Sequence, residues 1–240
     1  MQVDVLIEQP PGEVLDVLLI FRGTLRDDTR LLQGARNALT RFKGLLDRKD
    51  LLLISVAYPE ENLLFGDNIR EAEAALLWTK TSAAAELGVQ IGKIVLAGHS
   101  QGGYLVTRLN TLHETDGVIA NAPGPLDLAF RCALEENGQV PAEMECSLLR
   151  ATFGPTTQNE DEYLARSLLS FSSGFKSKIL FIQGLNDSPI QMRSWPIFQE
   201  RVQACTDCAE VTFLNLPGLG HIALFESAQA RQAFNAFFAR

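Results

Sequence analysis

The pentapeptide Gly98-His99-Ser100-Gln101-Gly102, placed directly after the apolar run Lys93–Ala97, constrains this chain more than any other feature. A serine at the tip of a sharp strand-to-helix turn sits in strained backbone, and any side chain two residues to either side collides with the strand or the helix. Glycine at 98 and 102 meets that requirement, so the segment reads as a nucleophile elbow. An ordinary glycine-rich turn has the same letters, and the flanks separate the two readings. Before the motif lies a β-rich apolar stretch; after it, Gly102 to His113 carries Leu105, Val106 and Leu109 at helical spacing.

A serine hydroxyl becomes a good nucleophile only when a base takes its proton, and a neutral imidazole needs a partner to fix its tautomer and stabilise its cation. The chain has three histidines. His99 adjoins the serine on a tight turn, where neighbouring side chains diverge. His113 lies near the far end of the following helix, about 20 Å away at roughly 1.5 Å per residue. His221 remains, in the loop Pro217-Gly218-Leu219-Gly220-His221 after the strand-like Val211–Leu216. For the acid, the strand Lys178–Gln183 runs into Gly184-Leu185-Asn186-Asp187, which sets Asp187 just past a carboxyl strand end, where open α/β sheets build their sites. Asn186 cannot offset an imidazolium charge. Asp127 and Glu160 are weaker candidates because neither directly follows a comparable strand. A turn-forming aspartate before Ser188-Pro189 is the bland alternative for Asp187.

The order Ser100, Asp187, His221 is that of the α/β-hydrolases, and the chain resembles that superfamily over nearly its whole length. It is most similar to the prolyl-oligopeptidase and dienelactone-hydrolase branches, on the strength of Gly184-Leu185-Asn186-Asp187-Ser188-Pro189-Ile190 followed by Pro217-Gly218-Leu219-Gly220-His221. The resemblance implies a three-layer α/β fold with a mostly parallel central sheet and a carboxylesterase-type serine hydrolase. It also implies an oxyanion hole built from the backbone N–H groups of Gln101 and Thr24. One departure stands out: those families carry His-Gly after the third strand, whereas this chain reads Phe21-Arg22-Gly23-Thr24.

Alternating strand and helix signals support that architecture. Val3–Ile7, Val14–Phe21, Leu51–Ala57, Lys93–Ala97 and Gly117–Asn121 are strand-like, and Leu31–Leu46 is helical. Asp67 is expected to cap one long helix reaching Leu87, stopped by Gly88. The rhythm breaks over 125–175, where Pro141, Gly154 and Pro155 punctuate a segment too apolar for a plain surface loop. It is expected to form a small cap inserted in a single domain spanning 1–240, or else simply to anchor a long connection on the core.

Twenty-nine acidic against 21 basic residues give a net charge of −8, which argues against nucleic acid and against anionic membranes as partners. No apolar stretch is long enough for a transmembrane helix. The start lacks the basic region of a secretory leader, which points to the cytoplasm, with export or a periplasmic location the alternative if the cysteines pair. Those cysteines are Cys132, Cys146, Cys205 and Cys208. Structural disulfides 132–146 and 205–208 suit an exported protein, and idle thiols an internal one. A redox Cys-x-x-Cys suits the sequence poorly, because this pair ends a helix instead of beginning one. A four-thiolate zinc site would have to join pairs that flank different elements.

These readings converge on a metal-independent and cofactor-free ester hydrolase for small to medium acyl esters, acting through an acyl-enzyme on a small-molecule substrate. A peptidase or amidase is the alternative, and an inactive binding protein on the same fold a distant one.

Overall fold

A computed structural model describes residues 3–238. Its centre is a seven-stranded sheet in the order β1-β3-β2-β4-β5-β6-β7, formed by Asp4–Glu8, Val14–Phe21, Leu51–Ala57, Gln90–His99, Gly117–Asn121, Ile179–Gly184 and Val211–Leu216, numbered here β1 to β7. Only β1 runs antiparallel, against β3; every other pairing is parallel.

The continuous apolar runs follow from two-sided burial, because successive side chains along a strand point to opposite faces. From β2, Val17, Leu19 and Phe21 enter one core while Leu18 and Ile20 enter the other. Strand β6 divides likewise, sending Ile179 and Phe181 to the first face and Leu180 and Ile182 to the second. Helices α1 (Leu31–Lys43) and α10 (Ala228–Phe238) cover the second face through Phe42, Phe234 and Phe237. On the first face lie α2 (Ile69–Thr81), α4 (Gln101–Leu112) and α8 (Pro189–Gln203). The structure is thus the three-layer, mostly parallel α/β arrangement expected. The central strands β3 and β5 begin and end where the sequence put them, whereas β4 starts earlier, at Gln90.

The single helix expected from Asp67 to Leu87 is instead two, α2 and α3 (Ala83–Leu87), broken at Ser82 with φ −123°. Hydroxyl competition accounts for the break: Thr79 and Thr81 return their Oγ1 donors to the carbonyls of Ala75 and Leu77, each at 2.8 Å, crowding the last turn. Asp67 is not the cap. The N-cap position belongs to Asn68, whose amide turns inward toward the carbonyl of Pro59, while Asp67 pairs with Arg166 at 3.4 Å. Gly88 does stop α3 in the left-handed region, at φ 68°.

Between β5 and β6 the chain forms α5 (Leu128–Glu136), α6 (Met144–Phe153) and α7 (Thr156–Leu164), then a 3-10 turn at Leu168–Phe171. Asp127 caps α5 by accepting the Phe130 N–H at 2.9 Å. Leu126, Leu128, Leu149 and Tyr163 are buried and join the first-face core. A disulfide links Cys132 of α5 to Cys146 of α6, and a second links Cys205 to Cys208 just after α8. All four cysteines are paired in this way. Among the described residues no helix is long and apolar enough to cross a membrane.

Phe181 anchors the first-face core, stacked on Phe213 at 5.1 Å and edge-on to Phe198 at 5.2 Å, with no exposed surface. Phe181→Ala should lower the unfolding free energy in urea by about 3–5 kcal/mol. A loss below about 1 kcal/mol would show that the aromatic cluster collapses around the cavity and does not hold the sheet.

Candidate active site

Ser100 stands between β4 and α4 with φ 57° and ψ −120°, a conformation that costs an ordinary residue free energy and persists only when its surroundings impose it. Those surroundings are backbone. A Cβ on Gly98 would lie 2.1 Å from the carbonyl oxygen of Gly102, and one on Gly102 would lie 2.1 Å from that of Phe21. The two glycines therefore let α4 descend onto its own strand and onto β2. The Ser100 N–H donates to the carbonyl of Asn121 at 2.9 Å, tying the turn to β5 as well.

A second close approach delivers the histidine. A Cβ on Gly184 would meet the carbonyl oxygens of Gly220 and Leu219 at 2.1 and 2.4 Å, so the end of β6 and the loop after β7 pack backbone to backbone. Across that contact His221 Nδ1 lies 2.8 Å from Asp187 Oδ2. Asp187 is the buried partner, its side chain 6% exposed against 44% for His221. Burial alone would raise its pKa. The His221 hydrogen bond and charge, Gln183 Nε2 at 2.9 Å and the Ser188 N–H at 2.6 Å together hold it below the ordinary carboxylate value. With Asp187 accepting at Nδ1, the His221 nitrogen left to act as a base is Nε2.

Ser100, Asp187, His221 and Thr24 share the wall of one cavity of about 390 Å³. The segment after β5 lines it through Pro125, Leu126, Leu128 and Cys146, with Ile190 and Phe65 completing the apolar lining. Among the described residues Ser100 Oγ makes no hydrogen bond to His221; the two are brought to the same cavity. Gln101 opens α4, where the first N–H groups of a helix have no intrahelical acceptor. Gly23 packs against Ser100, a Cβ there falling 3.3 Å from that of the serine, which sets Thr24 beside it. The other candidates lie elsewhere or do other work. His113 pairs with Glu73 at 2.6 Å, Asn186 donates its N–H to Leu219, and Glu160 is exposed on α7.

Arg22, which stands where the resembling families have histidine, is buried behind this wall. Its guanidinium stacks 4.3 Å from the Tyr58 ring centre, meets Glu60 at 3.2 Å and donates to the Gly23 carbonyl at 2.8 Å. Glu60 in turn accepts the Leu25 N–H, and the Tyr58 hydroxyl donates to the Arg22 carbonyl. Residues 22–25 are thus clamped on both sides of Thr24. Burial pushes the Glu60 carboxyl up to about 7 despite the opposing Arg22 charge.

Two further positioning groups left no sequence signal. Asn121, fully buried at the end of β5, donates from Nδ2 to His99 Nδ1 at 2.6 Å and to the His221 carbonyl at 3.4 Å, while its Oδ1 accepts the Leu224 N–H. Gln183 joins Asp187 to Gln191, whose amide reaches the Pro123 carbonyl at 2.9 Å. The His99 ring lies 4.8 Å from that of His221. Burial first, then the neighbouring His221 charge, lower the His99 pKa to about 3.

A depressed histidine pKa makes folding pH-dependent with a definite sign. The unfolded chain protonates His99 below its ordinary 6.5 and the folded chain does not until about 3. The unfolded state therefore takes up the extra proton, and stability falls as pH drops through that window. His99→Phe should be less stable at pH 7.5 for want of the Asn121 bond. Its gap to wild type should narrow in acid, by up to about 1.4 kcal/mol per pH unit. Parallel stability curves between pH 6.5 and 4 would contradict the assignment.

No family profile matches this sequence, and no curated relative does. Solved structures do. The chain is similar to Est1E from Butyrivibrio proteoclasticus, at 12% identity and a TM-score of 0.69, over 99% of this chain and 93% of that one. It is similar to a truncated carbohydrate esterase from gut microbiota at 16% identity and a TM-score of 0.72, over 98% and 90% of the two chains. It also matches an acylaminoacyl peptidase from Pyrococcus horikoshii at 13% identity and a TM-score of 0.70, where all of this chain covers 40% of the other. In sheet order, layers and overall superposition, the chain has the α/β-hydrolase fold.

Proposed function

We propose that the protein is a serine ester hydrolase working through an acyl-enzyme, with Ser100 as nucleophile, His221 as general base and Asp187 as its partner. The observation that carries this reading is the strained Ser100 on a cavity wall shared with His221, whose Nδ1 is bonded to the buried Asp187. Ser100 Oγ attacks the ester carbonyl as His221 Nε2 takes its proton, and Asp187 stabilises the resulting imidazolium. The carbonyl oxygen, now carrying negative charge, is held by the N–H groups of Thr24 and Gln101. The C–O bond to the alcohol breaks, and His221 returns the proton to the leaving oxygen. Water then repeats the sequence on the acyl-enzyme, freeing the acid and Ser100.

Ester hydrolysis is supported by the similar structures that are esterases, Est1E and the carbohydrate esterase among them, and peptide hydrolysis, as in the similar acylaminoacyl peptidase, is the alternative. Segment 125–175 serves as the cap over the acyl pocket, and 390 Å³ of roofed space suits short to medium acyl chains. Arg26, two residues beyond Thr24, joins the cap to the oxyanion loop through Glu143 at 2.7 Å and Glu145 at 3.6 Å.

The test is a panel of p-nitrophenyl esters of rising acyl length beside aminoacyl amides. Wild type should turn over the shorter esters best, and Ser100→Ala should lose nearly all turnover while keeping its melting curve. Preference for amides, or for long-chain emulsified lipids, would overturn the substrate class. For the oxyanion loop, Thr24→Ala should keep kcat within about threefold, whereas Thr24→Pro, which deletes the N–H, should lower it by roughly 10²- to 10³-fold. Equal damage from both, with intact melting curves, would remove Thr24 from the oxyanion hole as a backbone donor.

A further inference from the structure

Ser100, Thr24 and His221 line two hollows with different charged groups. The capped cavity is lined by Asp127, Glu135, Glu143 and Glu145 with Arg131, and three of these carboxylates are ion-paired: Glu135 with Arg131 and Arg150, Glu143 with Arg26 and Arg131, and Glu145 with Arg26. On the other side a cleft of about 650 Å³ runs from Ser100 and His221 past α1 to Phe225 on α9 (Ala223–Glu226). No carboxylate lines this second cleft, and its cations are Arg22 and Arg41. The Arg22 charge is offset by Glu60 at 3.2 Å. Arg41 has no ion pair among the described residues. An unpaired surface arginine ordinarily means nothing, but this one is not free in solvent. Its guanidinium lies 5.6 Å from the Phe225 ring centre, and that ring meets His99 at 5.4 Å, next to His221.

Helical spacing adds donors to the charge. Asn37, Thr40 and Arg41 fall three and four residues apart, on one face of α1, and all three line the cleft. Gln33 Nε2 donates to Asn37 Oδ1 at 2.8 Å, which leaves the Asn37 amide hydrogens as the groups it can offer a ligand. The cleft therefore presents a guanidinium, an amide N–H and a hydroxyl with no opposing carboxylate, a set that suits a carboxylate better than a neutral or cationic group.

We propose that the physiological substrate is an ester carrying a carboxylate on the half that lies outside the capped pocket, and that Arg41 is the specificity-determining residue for that charge. This rests on the ester-hydrolase reading above. The capped cavity then takes the uncharged half, since its lining arginine, Arg131, is already held by Glu135 and Glu143 and leaves no free cation for an anion, and the scissile carbonyl sits between the two at Ser100.

Two matched ester pairs test the proposal on the purified protein. Phenyl hydrogen glutarate against phenyl pentanoate places the charge on the acyl half; 3-acetoxybenzoate against phenyl acetate places it on the leaving half. In the second pair wild type should favour the charged member by about tenfold in kcat/KM, chiefly through KM, with the preference shrinking as NaCl is raised, whereas the first pair, charged on the half that the capped acyl pocket takes, should show no such preference. Arg41→Gln should abolish most of that ratio, and Arg41→Lys should restore part of it. A wild-type ratio near one in the second pair, a preference confined to the first, or a ratio unchanged in Arg41→Gln overturns the proposal and leaves the ester-hydrolase reading standing. If none of the four esters is turned over and Ser100 proves unreactive, the ester reading falls and this inference falls with it.

Discussion

Everything at the carboxyl edge of the sheet depends on how closely backbone can approach backbone there. At Gly98 and Gly102 a methyl group would sit 2.1 Å from a carbonyl oxygen, and one at Gly184 would sit the same distance from the Gly220 carbonyl in the loop that carries His221. These contacts join β2, β4 and α4 at one point and β6 with the β7 loop at another. Hydrogen bonds then lock what the glycines permit: Ser100 N–H to the Asn121 carbonyl, and the Asn186 N–H to that of Leu219. The serine strain is sustained by this packing, because relaxing φ at Ser100 would require α4 to leave the sheet.

Around that frame, buried polar groups fix which chemistry the side chains can perform. Arg22, Tyr58 and Glu60 hold residues 22–25 from beneath, which fixes the backbone on both sides of Thr24. Asn121 does comparable work for the loop that carries His221, bridging His99 and the His221 backbone from the end of β5. His99, adjacent in sequence to Ser100, takes no proton at neutral pH. It presents His221 with an uncharged ring instead of a competing cation.

The fold was legible where local chemistry dictates it. Two-sided apolar runs marked β3 and β5 to the residue, and the glycine pattern located the turn at Ser100. The grouping of Asp187 with His221 was legible from loops that follow strands. What could not be read depends on distance between chain segments. Asn121 lies 100 residues from the His221 carbonyl it holds, and Glu60 lies 35 from the Leu25 N–H it accepts. The break at Ser82 was missed because helix-forming alanines outnumber the threonines whose hydroxyls compete for the carbonyls. The antiparallel entry of β1 beside β3 has no signature in its own five residues. The cysteines were legible as two pairs but not as bonded ones, since spacing serves a thiol and a disulfide equally.

The central claim is that the geometry at the carboxyl edge activates one serine and no other. A fluorophosphonate probe followed by peptide mapping reads this directly, since it bonds only to a hydroxyl whose proton a neighbouring base can take. The account predicts a single adduct, on the peptide containing Ser100, formed rapidly in wild type, far more slowly in His221→Ala and not at all in Ser100→Ala. Labelling at another residue, or labelling of Ser100 that is indifferent to the loss of His221, would contradict it.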